Sequence, residues 1–130
     1  MVLTHAQRTV KENSTFQYTA TLKDETGTVI PLSGVTTFTL TLYDLALGSI
    51  INTKDGTDIL NANNGTIHAT SGLFTWVAKP ADNIIVGAGT DILVGKTEEH
   101  VALFEWTYNS GLDSGRQELH IYVEQLAKVP

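Results

Sequence analysis

Strict alternation of apolar and polar side chains is the feature that most limits what this chain can fold into. In the segment TTFTLTLYD, Phe38, Leu40 and Leu42 alternate with threonines and a tyrosine. A period of two is that of a β-strand, whose successive side chains point to opposite faces of a sheet. The same period recurs along the chain, and helical periodicity hardly appears. The sequence therefore predicts an all-β protein.

Turn signals divide the alternating stretches into about seven to nine short strands, a number and spacing typical of a β-sandwich or barrel. The strongest of these signals is the pair Asn64-Gly65. It predicts a two-residue type I′ hairpin turn, which requires positive φ at both positions. We therefore expect an antiparallel β-sandwich.

The two ends of the chain show no committed pattern. We predict an N-terminal arm over residues 1–14, a β-sandwich domain over residues 15–126 and a C-terminal tail over residues 127–130. Such arms are either loose or ordered on a neighbouring molecule. An extended arm could add a strand to the exposed edge of a neighbour's sheet.

Two aromatic segments, LFTWVA and ALFEWTY, predict where the core lies. Trp76 shares a strand face with Phe74 and Ala78, and Trp106 shares one with Phe104 and other apolar residues. Large aromatic side chains on such faces belong to the core. We therefore expect Trp76 and Trp106 to turn inward and join two sheets.

Composition excludes several classes of function. The 130 residues fit one domain. Cysteine is absent, which excludes disulfides, thiolate metal sites and cysteine nucleophiles. The net charge of −6, with scattered basic residues, argues against a nucleic-acid partner. No apolar run is long enough for a membrane helix and no export signal is visible, so we expect synthesis and assembly in a cytoplasm.

The histidines of the last predicted strand pair are candidate metal ligands. A metal site would join His100 to His120 across the hairpin, with a glutamate completing the shell, because zinc needs three or four converging ligands. His100, however, precedes its predicted strand. His120 shares a polar strand face with Glu118, Tyr122 and Glu124, opposite an apolar face. We therefore expect a solvated outer face and no metal ligands.

Catalytic and cofactor motifs are weak in this chain. Glu105 interrupts an apolar strand, but a lone acid on the face opposite Phe104 and Trp106 is expected to be solvated or paired. The segment GAGTDILVGKT ends like a phosphate loop, but Thr90 stands where the first glycine belongs. We predict no catalytic residue, no cofactor and no enzymatic activity.

Carbohydrate binding remains an open alternative. Aromatic side chains can stack on sugars, and Tyr43 and Tyr122 fall on polar strand faces where they are accessible. Trp76 and Trp106 are poorer candidates, because both lie on core faces. The sequence thus leaves a possible stacking platform at Tyr43 and Tyr122.

Several short motifs, in order, resemble a recurring β domain of tailed-bacteriophage virion proteins, such as the N-terminal domain of baseplate upper proteins. The motifs are SGLFTW, PADN, ALFEWTY and ELHIYVE, preceded by KDETG and IPLSG, and the likeness covers roughly residues 15–125. It implies an immunoglobulin-like β-sandwich and a part in building the virion, and carries over no catalytic residue. Baseplate upper proteins continue into a further region, so a capsid cement, neck or tail protein fits equally well.

The function expected from this resemblance is that of a non-enzymatic virion structural protein, assembled in the host cytoplasm. Its expected partners are further copies of itself, as a homo-oligomer, and other capsid or tail proteins. The alternative is a carbohydrate- or host-surface-binding β-sandwich module.

Overall fold

A computed structural model describes residues 6–86 and 97–125 of the chain. These residues form eight β-strands and two short 3₁₀ turns, Leu32–Gly34 and Pro80–Asp82. The strands are β1 (Ala6–Lys11), β2 (Phe16–Thr21), β3 (Val35–Asp44), β4 (Thr57–Asp58), β5 (Gly65–Ile67), β6 (Leu73–Ala78), β7 (Thr97–Tyr108) and β8 (Asp113–Glu124).

The strands pair into two sheets, with the orders β1-β8-β7-β3-β4 and β2-β6-β5. If β2 to β8 are taken as strands B, C, C′, D, E, F and G, this is the partition of the immunoglobulin fold. The chain is therefore an immunoglobulin-like β-sandwich, as the sequence predicts. One pair departs from the expected antiparallel arrangement, because β1 runs parallel to β8.

The predicted N-terminal arm is wrong over the residues of β1. These residues pair with β8 in a continuous register from Ala6 opposite Leu119 to Lys11 opposite Glu124, so they belong to the chain's own sheet. The sequence signal is weak because only Ala6 and Val10 of this strand pack on the core. Residues 1–5 and the predicted tail at 127–130 lie outside the described residues.

Alternation along the central strands builds the core, as predicted. The side chains of Phe38, Leu40 and Leu42 in β3 are fully buried, and those of Trp76 and Trp106 are 0% and 6% exposed. Phe104 lies at the centre of an aromatic cluster. Its ring centroid is 5.1–6.2 Å from the rings of Tyr18, Phe38, Phe74 and Trp76. Edge-to-face and offset contacts of this kind add to the energy of apolar burial.

The predicted Asn64-Gly65 hairpin is not formed, because β4 pairs with β3 and β5 pairs with β6, in different sheets. The turn itself lies one residue earlier than predicted. Positive φ falls on Asn63 and Asn64, at 50° and 71°, and Gly65 begins β5. Gly65 is required for another reason, because a Cβ there would lie 2.4 Å from the carbonyl oxygen of Ile59.

The glycine-rich segment after the second 3₁₀ turn lies partly outside the described residues. Residues 84–86 form no strand, and residues 92–94, for which a short strand was predicted, are among those not described. Within the described parts of the chain, no helix is both long and apolar enough to span a bilayer.

Candidate functional site

The β7–β8 pair places its two histidines on opposite faces of one sheet. His100 lies opposite Ile121, and His120 lies opposite Val101. Residues directly opposite each other share a face, and a step of one residue reverses the face. The candidate zinc pair of His100 with His120 is therefore not formed. His100 also lies inside β7 rather than before it, and it is fully buried.

The inner-face histidine belongs to a cluster at the end of the core. Its Nε2 lies 2.5 Å from Glu98 Oε1 and 4.0 Å from Asp44 Oδ1. Asp44 ends β3 and lies opposite His100 in the β3–β7 register. The side chain of Glu98 is partly exposed and also accepts the backbone N–H of Val86, at 2.8 Å. We call Asp44, Glu98 and His100 the inner cluster.

The outer-face histidine, predicted to be solvated, is instead buried, with 8% of the residue exposed, and lies between two glutamates. His120 Nδ1 lies 2.6 Å from Glu99 Oε2, and its Nε2 lies 3.1 Å from Glu118 Oε1. We call these three residues the outer cluster. Burial lowers the pKa of His120, but the hydrogen bonds to Glu99 and Glu118 and their negative charges outweigh it, so the net pKa is raised. The outer cluster therefore favours a charged imidazole.

Glu105 lies where the sequence places it, on the face opposite Phe104 and Trp106. Its carboxylate pairs with the Arg116 guanidinium at 2.9 Å, and both side chains are exposed to solvent. The phosphate-loop reading is also rejected by the structure, because Thr97 opens β7 and not the helix that such a loop requires.

The predicted platform tyrosines lie on one face but at separate places. Tyr43 is opposite Val101 and Tyr122 is opposite Glu99, so both belong to the outer face, and both are half-buried. Burial raises the pKa of the Tyr43 hydroxyl, and the charge of Glu118 raises it further. The two rings flank the outer cluster, one on β3 and the other on β8.

A shallow depression of about 210 Å³ opens near the other end of the outer face. Its lining includes Thr37, Thr107 and the Glu105–Arg116 ion pair. Thr37 and Tyr43 are six positions apart in β3, which corresponds to roughly 20 Å along a strand. The predicted platform tyrosines therefore do not line this depression.

Sequence reasoning missed Asp44 and misplaced His100. The alternation of side chains along each strand is enough to assign both residues to the core face. Asp44 is an even number of residues from Phe38, Leu40 and Leu42, so it lies on the same face of β3. His100 is likewise on the face of β7 that carries Phe104 and Trp106. Alternation does not predict the pairing register of β3 with β7, which places Asp44 opposite His100.

Comparison with known proteins adds little to this geometry. No protein-family model and no curated protein matches the chain. Among solved structures it is similar to "Chimeric titin Z1Z2 functionalized with a KLER exogenous peptide from decorin", with 12% identity and a TM-score of 0.42. That match covers 95% of this chain and 92% of the other. At such values the likeness carries no conclusion, and the immunoglobulin-like assignment depends on the strand order.

Proposed function

We propose that the chain is a non-enzymatic structural protein of a phage virion, which acts by binding further copies of itself and other virion proteins. The resemblance of its motifs to virion β domains supports this proposal. The observation that carries it is a group of exposed apolar side chains at one end of the larger sheet. Three of these side chains lie in the connection that follows β3. Leu45 is 46% exposed, Leu47 is 65% exposed and Ile50 is 42% exposed.

Hydrogen bonds donated by backbone N–H groups order this connection. The N–H of Leu45 donates to the Glu99 carbonyl at 3.0 Å, and that of Leu47 donates to Asp44 Oδ2 at 2.8 Å. Ile50 forms a bridge with Tyr43. A surface that is already ordered loses little conformational entropy when a partner covers it. Covering three large apolar side chains also contributes several kcal/mol, at about 25 cal/mol per Å² of apolar surface.

A single exposed leucine would have no such meaning, because scattered apolar side chains are normal on protein surfaces. Leu112 is an example. It is 80% exposed in the β7–β8 turn, at the opposite end of the same sheet from Leu47. Leu112 therefore provides a matched control for the proposed assembly surface.

Light scattering coupled to size-exclusion chromatography tests the proposal. We expect the wild-type chain to self-associate as its concentration rises, Leu47→Asp to stay monomeric, and Leu112→Asp to behave like the wild type. Mass spectrometry of virions from the genome that encodes the chain should find it in many copies per particle. A chain that is monomeric at its highest soluble concentration and absent from virions would contradict the proposal.

The alternative function is binding to a glycan or host surface through the outer face. The presence of Tyr43 and Tyr122 on that face, on either side of the outer cluster, favours it over a platform built on the buried tryptophans. Glycan-array binding that is lost in both Tyr43→Ala and Tyr122→Ala would support this alternative.

A further inference from the structure

We propose that Asp44, Glu98 and His100 bind a divalent transition-metal cation, with zinc the first candidate. The three side chains project from the end of β3 and the start of β7. One possible ligand atom from each lies within 4.8 Å of the other two. This site is additional to the proposed assembly role and does not depend on it.

The buried carboxylate of Asp44 gives the strongest support. The residue is 1% exposed, and its two oxygens differ. Oδ2 accepts the backbone N–H of Leu47, whereas Oδ1 is buried without a hydrogen-bond partner and lies 4.0 Å from His100 Nε2. A carboxylate oxygen buried without a partner is costly, because it has lost its hydration. A cation bound between Oδ1 and Nε2 would remove that cost.

Another buried aspartate shows that this fold can satisfy such a group fully. Asp82 is also 1% exposed, and its oxygens accept the Asn52 side-chain amide at 2.8 Å and the Lys79 N–H at 2.9 Å. The Lys54 ammonium lies 3.5 Å away. Among the described residues, the only basic side chain within 4.0 Å of the Asp44 carboxylate is the imidazole of His100. Asp44 is therefore unlike Asp82, whose buried charge is balanced by a lysine.

The two distances from His100 Nε2 require only small movements to accommodate a metal, and the ligand oxygens of Glu98 and Asp44 lie within 4.8 Å of each other. Zinc binds histidine nitrogen and carboxylate oxygen at about 2.0–2.2 Å, so tetrahedral ligand atoms lie about 3.4 Å apart. The Nε2–Oε1 distance of 2.5 Å to Glu98 would widen by about 0.9 Å and the Nε2–Oδ1 distance of 4.0 Å to Asp44 would shorten by about 0.6 Å. Side-chain rotation supplies such shifts while the β3–β7 ladder holds the backbone.

The donor set and its charge both fit a divalent transition metal. One imidazole nitrogen and two carboxylate oxygens suit zinc, and also manganese, iron, cobalt and nickel. Metal ligands bind in their deprotonated forms, so two carboxylates and a neutral imidazole would together carry a charge of about −2 in the complex, which one divalent cation cancels. Three protein ligands leave a fourth position for water. Nδ1 of His100 has no hydrogen-bond partner, so it is available to carry the ring hydrogen when Nε2 binds the metal.

A metal at this position would join three segments of the chain. Asp44 ends β3, His100 and Glu98 open β7, and the N–H of Val86 already donates to Glu98. The ion would therefore stabilise one end of the sandwich by crosslinking these segments. This end lies next to the connection after β3 that contains Leu47.

The outer cluster is an internal control for this inference. It contains the same types of side chain, one histidine and two carboxylates. Glu99 and Glu118, however, contact different nitrogens of the His120 ring. A single ion cannot bind one ring nitrogen and both of these carboxylates without rearrangement, so we expect no metal there.

Calorimetric titration of the chelator-treated full-length protein with ZnCl₂ tests the site, together with thermal melting. We expect one zinc ion per chain and a melting temperature that rises with zinc. Asp44→Asn keeps an oxygen for the Leu47 N–H but removes the charge, and Glu98→Gln removes the charge of a partly exposed side chain. Each should weaken binding by at least about tenfold, since even the loss of a group behind a ligand has effects of that size. His120→Gln should bind zinc like the wild type.

Circular dichroism of each variant shows whether it has folded. If Asp44→Asn does not fold, Glu98→Gln decides the question alone. The absence of heat and of any melting shift in the wild type would overturn the inference. So would zinc binding that survives both charge-removing substitutions unchanged, or that His120→Gln weakens as much as they do.

Discussion

The two histidine clusters on the β7–β8 pair have nearly the same chemistry and opposite surroundings. The inner cluster contains a fully buried imidazole and a carboxylate oxygen without a partner, whereas the outer cluster surrounds His120 with two glutamates near solvent. His100 and His120 lie on neighbouring strands and differ by one residue in register. In a sheet of this kind, a single step along a strand decides whether a histidine faces the core between the sheets or the outer side of the sheet.

This comparison teaches that residue type alone does not define a site here. A histidine with two acids is a candidate metal centre only where the ligand atoms converge, as around His100. Where the acids contact the two ends of the ring, as around His120, the arrangement favours protonation instead. Substitutions on the two faces should therefore differ in their effects on stability.

Truncation of the central aromatic residue should have the largest effect. Phe104 is fully buried and contacts four other aromatic rings, so Phe104→Ala should lower the free energy of unfolding by about 3–5 kcal/mol. Its neighbour Leu103 is half-buried on the outer face. Leu103→Ala should cost about 1 kcal/mol, because less apolar surface leaves water on folding. Urea denaturation followed by tryptophan fluorescence measures both.

Phe104→Leu controls for shape, since it keeps most of the apolar volume and should cost much less than the alanine variant. Equal losses for Phe104→Ala and Leu103→Ala would contradict the assignment of the two faces.

Local periodicity made much of the fold predictable from sequence. The faces of Phe38, Trp76 and Trp106 follow from alternation alone, because side-chain direction in a strand is a local property. β1 was missed for a related reason. It is an edge strand that buries little besides Ala6 and Val10, so its sequence hardly alternates, and its parallel pairing with β8 is a long-range contact.

The inner cluster was less predictable. Alternation assigns Asp44 and His100 to the core face, yet a charged residue at the end of a strand is easily taken for the start of a loop. Their proximity depends on the β3–β7 register, which joins residues 56 positions apart in sequence. Such a register is set by the packing of the whole sandwich and not by either strand alone.

The pH dependence of the free energy of unfolding should reveal the positive charge on the imidazole of His120. The pKa of His120 is raised in the folded chain, above an unfolded value near 6.5. Its contribution to stability is therefore fully present below about pH 6.5 and is lost as pH rises through the higher folded pKa. The difference in unfolding free energy between wild type and His120→Gln should shrink over that interval, as measured by urea denaturation at a series of pH values.

Glu99→Gln supplies the control, because it removes the charge that lies 2.6 Å from His120 Nδ1 and should flatten the same dependence. A difference between wild type and His120→Gln that grows with pH would reverse the sign and contradict the charged imidazole.

The smallest effect should come from the ion pair on the outer face. Glu105 and Arg116 are close, at 2.9 Å, but their side chains are 36% and 73% exposed. Solvent and salt screen such a pair, and ordering two long side chains costs entropy, so a coupling energy of only about 0.2–1 kcal/mol is expected. A double-mutant cycle with Glu105→Gln and Arg116→Gln measures it, at low and high salt. A coupling energy above this range that does not weaken with salt would contradict the expectation that water screens charges on the outer face.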